Sequence, residues 1–175
     1  SRSVAVPISD QVIVITGASS GIGLATAREA ARRGARVVLA ARNVPALERI
    51  AEEIREAGGT AIAVGTDVTD YDQVVALARR AVEEYGRIDT WVNNAAVSLY
   101  ATFRDISLED FRRVLDVNLM GQIHGAKAAL PYLEESAGAL ICIGSVESDR
   151  GVPMQSAYAA SKHALDGWAD ALRAE

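Results

Sequence analysis

Five short apolar runs, each separated from the next by a stretch with helical spacing, restrict this chain more than any other feature. The runs are 12–15, 37–41, 61–64, 88–92 and 139–143. They are continuous where a half-exposed strand would alternate, so both faces of each are expected to be covered. Helical spacing follows each time. Segment 24–33 stands behind a glycine cluster, and 46–57 has Asn43 as its cap and Pro45 in its first turn. Val74, Val75, Leu77, Ala78, Ala81, Val82 and Tyr85 form the apolar stripe of a third helix. A long fourth one runs from 108 to about 133, opened by the capping pattern of Ser107 with Asp110, and a fifth from about 154 to 175. Such alternation specifies an α/β domain: a parallel sheet with right-handed crossovers and helices on both faces. Ligands of such sheets bind beyond the carboxyl ends of the strands, where the strand order reverses.

Composition narrows the partners. The chain has 175 residues, 50% hydrophobic and 23% charged, enough for one folded domain, with residues 1–10 as a loose lead-in and 11–175 as the domain itself. A net charge of −5 repels a phosphate polymer, so no nucleic-acid partner is expected. The single cysteine leaves no disulfide framework and suits a reducing cytoplasm. No apolar run reaches membrane-spanning length and the first ten residues lack a signal-peptide pattern, so no membrane partner is expected either.

The first apolar run leads straight into Thr16-Gly17-Ala18-Ser19-Ser20-Gly21-Ile22-Gly23, with a helix behind it. Glycines permit a tight turn, close backbone approach to a pyrophosphate, and close packing of helix on strand. The unpaired N–H groups of the helix start then face the anion. A plain Gly/Ser turn is the bland alternative; strand before and helix after favour the dinucleotide site. At the end of the second run, where an NAD-binding fold usually carries an acidic residue against the ribose, this chain has Ala41 and then Arg42. A guanidinium suits a 2′-phosphate, so NADP(H) is preferred, with NAD(H) possible. A solvated helix-start arginine is the competing reading.

Tyr158 and Lys162 lie four apart on the fifth helix and so share a face. The chain has only two lysines, Lys127 and Lys162, beside five tyrosines, so the pairing is suggestive but not decisive alone. Its chemistry is specific: an ammonium beside a phenol favours the phenolate and brings proton exchange with an alcohol or carbonyl oxygen towards neutral pH.

Together these motifs resemble the short-chain dehydrogenase/reductase family, in its non-extended TGxxxGxG and YxxxK branch, over residues 11–175. The resemblance implies a Rossmann-like doubly wound parallel sheet. It also implies that Tyr158 is the general acid/base and that Lys162 assists it and holds the nicotinamide ribose. Ser145, thirteen residues before Tyr158, matches the family's catalytic serine, and Asn118, forty before it, matches the helical asparagine of a proton relay through water to Lys162. Asn118 is notable on its own account, because a weak helix former followed by Gly121 is placed to bend the long fourth helix or hold a water there. Asn93-Asn94-Ala95-Ala96 resembles the family's NNAG segment, with Ala96 in place of the glycine; Asn94 and Ala95 are expected to line the cofactor cleft. Asp67 and Val68 match the pair that contacts adenine, although Asp67 could instead cap the next helix. The expected cofactor set is therefore Gly17, Ser19, Ser20, Gly21, Ile22, Gly23, Arg42, Asp67, Val68, Asn94, Ala95, Tyr158 and Lys162.

The implied reaction is hydride transfer between the nicotinamide of NADP(H) and a small-molecule carbonyl or secondary alcohol. A 3-oxoacyl reductase of lipid synthesis and a non-catalytic dinucleotide-binding module are the alternatives; the intact Ser145, Tyr158 and Lys162 set speaks against the module. Relatives are commonly homodimers or homotetramers that pair the fourth and fifth helices. Ala126, Ala128, Ala129 and Leu130 on one, with Ala160, Ala164, Leu165 and Trp168 on the other, are the expected faces. Cys142 reads as a buried inert thiol, and His124 and His163 are too isolated for a metal site. Arg32/Arg33 and Arg112/Arg113 read as solvated faces, while Tyr100 and Phe103 suit a substrate pocket or ordinary packing equally. Relatives also continue well past the YxxxK helix, so the chain is expected to be the cofactor-binding and catalytic part of a longer polypeptide. Without its C-terminal strands, run 139–143 would be an unpaired edge.

Overall fold

The computed structural model describes residues 5–143 and 155–175. Five strands form one parallel sheet: β1 (Val12–Thr16), β2 (Arg36–Ala41), β3 (Thr60–Gly65), β4 (Thr90–Asn93) and β5 (Ala139–Cys142), in the order β3-β2-β1-β4-β5. The expected run 88–92 becomes a strand two residues later. Asp89 accounts for the delay, because its carboxylate accepts the Val12 N–H at 2.8 Å while its own N–H donates to Val12 O at 2.9 Å. Both ends of this hinge on the central strand are therefore satisfied before ladder pairing begins.

Helices α1 (Gly21–Arg32) and α2 (Val44–Glu56) cover one face. Their Ala27, Leu47, Ile50 and Ile54 pack on Ile13, Ile15, Val37 and Leu39. The opposite face carries α3 (Tyr71–Tyr85) and α5 (Gly121–Ser136), whose Val74, Leu77, Ala129 and Leu133 meet Val12, Val14, Val38 and Trp91. Burying each large aliphatic side chain of this kind contributes about 1.5–3 kcal/mol. The alternating points of the strands thus feed two cores, which is why β1 and β2 read as unbroken apolar runs.

The expected caps are in place. Asn43 accepts the Ala46 N–H at 3.1 Å, and Ser107 accepts the Asp110 N–H at 3.0 Å at the start of α4 (Leu108–Leu115). The long fourth helix is not continuous: α4 passes through a π-helical turn at Asp116–Met120 before α5 begins. Asn118 sits inside that turn, where its side chain is drawn sideways into the site. The last helix, α6 (Ser156–Ala174), packs against α4 and the π turn. Among the described residues β5 pairs only with β4, and Ala139 and Ile141 are exposed. This strand therefore lacks the two-sided cover that its sequence led one to expect.

The expected pairing faces are corrected by packing. Ala126, Ala128 and Ala129 are buried within the chain itself, and so is Leu165. Of the expected pairing faces, Leu130, Ala160 and Ala164 remain exposed, with Trp168 half-buried.

Candidate active site

The strand order reverses between β1 and β4, and the glycine loop lies at that switch point. Thr16 holds the two strands' exits together: its hydroxyl accepts the N–H groups of Asn94 at 3.0 Å and Ala95 at 3.2 Å. The Asn94 side-chain amide donates in turn to Gly17 O at 3.1 Å. The glycines are there for space. Gly17 has φ +62°, and a Cβ on it would lie 2.9 Å from Ala95 Cα; one on Gly23 would collide with Gly17 O and the Asn94 amide. Gly21 has φ +53° and faces open space, so the backbone at the start of α1 is bare. A dinucleotide phosphate needs this arrangement: N–H groups at a helix start with no side chain in front of them.

A cleft of about 430 Å³ opens over this loop. It is lined by Gly17, Ser19, Ser20, Gly21 and Ile22 of the loop, by Arg42, Asp67 and Val68 beyond the ends of β2 and β3, and by Asn94, Ala95 and Ala96 beyond β4. Gly23 is buried behind the loop and contributes through packing. Asp67 does not cap α3. Asp70 does, accepting the N–H groups of Asp72 and Gln73. The Asp67 carboxylate instead accepts the Thr69 hydroxyl at 2.8 Å and the Thr69 N–H at 3.0 Å. Burial pulls this carboxyl upward, yet the Thr69 hydrogen bonds and the charges of Arg42 and Arg113 leave it below its ordinary value. Arg113 is the surprise, since it was expected on a solvated face with Arg112. It is half-buried and lines the cleft, whereas Arg112 is exposed. Val68 is fixed from behind by His124, whose Nδ1 donates to Val68 O at 2.7 Å.

The α6 residues meet the π turn. Asn118, fully buried, accepts the Val97 N–H at 2.7 Å and donates to Val97 O at 2.8 Å. It also donates to the Ser161 hydroxyl at 3.4 Å, and that hydroxyl donates to Tyr158 O at 2.7 Å. Lys162 is buried, with its Nζ 3.4 Å from Ile143 O at the end of β5 and 5.4 Å from the Tyr158 ring centroid. Tyr158 and Lys162 thus share a face at the carboxyl end of the sheet, as their spacing requires. Ser145 lies outside the described residues. Thr16 and Ser161 stand inside the TGxxxGxG and YxxxK motifs, whose patterns alone assign them no role. Tyr100 and Phe103 are largely exposed, at 70% and 74%.

The model of the short chain dehydrogenase family matches residues 11–175, nearly the whole chain. The chain belongs to this family. YxnA of Bacillus subtilis, an uncharacterized oxidoreductase, is 49% identical over 170 residues, covering 96% of this chain and 48% of that protein. The chain therefore spans about half the length of that relative. An alcohol dehydrogenase from Thermococcus sibiricus, solved with 5-hydroxy-NADP, superposes with a TM-score of 0.89 at 34% identity, covering 93% of this chain and 70% of that one. A short-chain dehydrogenase/reductase from Burkholderia phymatum, solved with NAD, gives 0.91 at 36% identity, with coverages of 95% and 60%. Among the described residues, no helix of the chain is long and apolar enough to cross a membrane.

Proposed function

We propose that this protein catalyses NADP(H)-dependent interconversion of a carbonyl and a secondary alcohol. The observation that carries the reading is the buried Lys162 Nζ held beside Tyr158 at the carboxyl end of the sheet, on the same side as the bare glycine loop. When bound, the nicotinamide supplies or accepts the hydride. Gly17, Ser19, Ser20, Gly21 and Ile22 would hold the pyrophosphate through the start of α1, with Gly23 allowing the loop to close. Asp67 and Val68 would meet the adenine, and Asn94 and Ala95 the inner wall. Arg42 is exposed and forms no ion pair within 4.0 Å among the described residues, which leaves it available to a 2′-phosphate.

Tyr158 would give or take the proton at the substrate oxygen, and the Lys162 ammonium would stabilise the phenolate while holding the ribose. Ser145 would donate a hydrogen bond to the same oxygen and stabilise charge developing on it. The Asn118 side chain is engaged with Val97 and Ser161, so a relay reaching Lys162 would use its main-chain carbonyl. The protein would act as a homodimer or homotetramer, with Leu130, Ala160 and Ala164 as the exposed apolar surface of α5 and α6. The test is Tyr158→Phe, assayed with NADPH across a panel of aldehydes and ketones. Turnover should fall at least a thousandfold while NADPH still quenches protein fluorescence; undiminished turnover overturns the assignment. NADPH binding without oxidation by wild type across the panel would favour a non-catalytic module.

A further inference from the structure

Arg113 is the residue whose position the sequence least explains. It lies on the second turn of α4, an element with no part in the glycine loop, and its half-buried side chain lines the cleft with Arg42 and Asp67. Glu109, Asp110 and Asp116 stand four before, three before and three after it, all at spacings that let side chains pair on a helix. Seven other arginines pair with carboxylates, and several of these pairs use such spacings. Arg113 forms no ion pair within 4.0 Å among the described residues. It lines the cleft that opens over the glycine loop.

The charges at that end of the cleft make the placement meaningful. One carboxylate, Asp67, lines this cleft with two guanidiniums, and both act on it. A phosphomonoester entering beside Arg42 alone would meet a pair of opposite charges that nearly cancel. With Arg113 the end of the cleft carries net positive charge, delivered from two directions. An uncharged ribose hydroxyl has no use for the second cation.

Building on the NADP(H) reading above, we infer that Arg113 is a second specificity-determining residue, which together with Arg42 clamps the 2′-phosphate of the adenosine ribose. The two guanidiniums approach from the end of β2 and from α4, so each supplies charge-assisted hydrogen bonds to different phosphate oxygens. Asp67, ionised, offsets the repulsion between the two guanidiniums before the phosphate arrives.

The test uses two adenosine fragments, adenosine 2′,5′-bisphosphate and adenosine 5′-monophosphate, titrated calorimetrically into wild type, Arg42→Gln, Arg113→Gln and Arg113→Lys. Arg113→Gln should weaken the bisphosphate about tenfold and leave the monophosphate within about twofold. Arg113→Lys should recover part of the loss, since a point charge replaces the fork. Equal losses for both fragments would mean that Arg113 meets the adenine or shapes the wall, and would overturn the inference; so would no loss for either. If Arg42→Gln is selective for the bisphosphate and Arg113→Gln is not, this inference fails while the NADP(H) reading stands. A wild type that does not prefer the bisphosphate overturns both.

Discussion

Asn118 and Val97 are joined by two hydrogen bonds, Val97 N–H to Asn118 Oδ1 at 2.7 Å and Asn118 Nδ2 to Val97 O at 2.8 Å. The side-chain amide thereby imitates a strand neighbour for the loop leaving β4. It sits in a π turn, whose extra residue per turn carries the side chain off the helix face it would otherwise keep. The same amide reaches Ser161, so one residue ties the β4 exit, the fourth helix and the Tyr158 helix together.

Removing that amide should therefore cost both stability and chemistry. Asn118→Ala leaves both polar groups of Val97 without their partner and should destabilise the fold by about 2–4 kcal/mol. Urea denaturation measures the loss. Asn118→Asp keeps the acceptor for Val97 N–H but sets a carboxylate oxygen against Val97 O. Turnover should drop in both variants, and full activity in Asn118→Ala would show that the link to α6 is dispensable.

Gly23→Ala places a methyl group against Gly17 O and the Asn94 amide, neither of which is the free end of a flexible chain. The loop must open to admit it. Overpacking of this kind costs about 1–3 kcal/mol, and the displaced Gly17 should also weaken cofactor binding by at least tenfold. Gly58→Ala serves as the control, because that glycine has φ +88° but nothing within 4 Å of the added carbon. It should lose stability through backbone strain alone and keep cofactor affinity.

The extent to which the sequence foretold this site depends on the range of the signal. The caps at Asn43 and Ser107, the glycine loop and the Tyr158–Lys162 pair are local patterns, and each sits where its spacing put it. Arg113 and the alanines of α5 depend on which stripe of a helix faces the sheet. Ala126, Ala128 and Ala129 read equally well as an outer face or an inner one, because small apolar residues suit both; α3 and the sheet claimed the latter two. Arg113 shares its turn with Arg112, and only the rotation of α4 over the cleft separates them. The interruption at Asn118 was signalled by composition, but its partner Val97 lies 21 residues away and has no sequence mark.

Asp89 should prove the most sensitive polar residue outside the site. It is 4% exposed, accepts the Val12 N–H at 2.8 Å, and takes a forked pair of hydrogen bonds from Arg87. Asp89→Ala strips the partner from the first N–H of the central strand, while Arg87 is exposed enough to turn to water. A loss of about 2–3 kcal/mol is expected in chemical denaturation, with the secondary structure otherwise retained. Arg87→Ala should also destabilise the fold, by leaving the Asp89 charge buried without its cation.

Acid should act on the cleft through Asp67. Its carboxyl is held below its ordinary value in the folded chain, so the folded state binds the proton less readily than the unfolded state does. The resulting stability is present above the unfolded carboxylate range and fades as pH falls through the lowered folded value. Asp67→Asn should therefore flatten the acid limb of a plot of Tm against pH, and parallel limbs would refute the role. The shift reflects Thr69 and two arginines against an opposing burial effect, so Arg113→Gln should narrow the difference between the two plots.

Cys142 provides the opposite sign at alkaline pH. Burial at the end of β5 raises its thiol, outweighing the Asn93 amide that donates to Sγ at 3.7 Å and the more distant charges of Arg173 and Lys162. Less thiolate is present in the folded state at any pH near the thiol range, and the thiolate is the reactive species. Iodoacetamide at pH 8 should therefore label the folded chain at least about tenfold more slowly than the urea-unfolded chain. Linkage gives the companion result. A thiol raised on folding contributes stability that is present below its unfolded value and lost as pH rises through the folded one. Cys142→Ser should change the alkaline limb of the stability curve and leave the acid limb, which belongs to carboxylates such as Asp67, where it was.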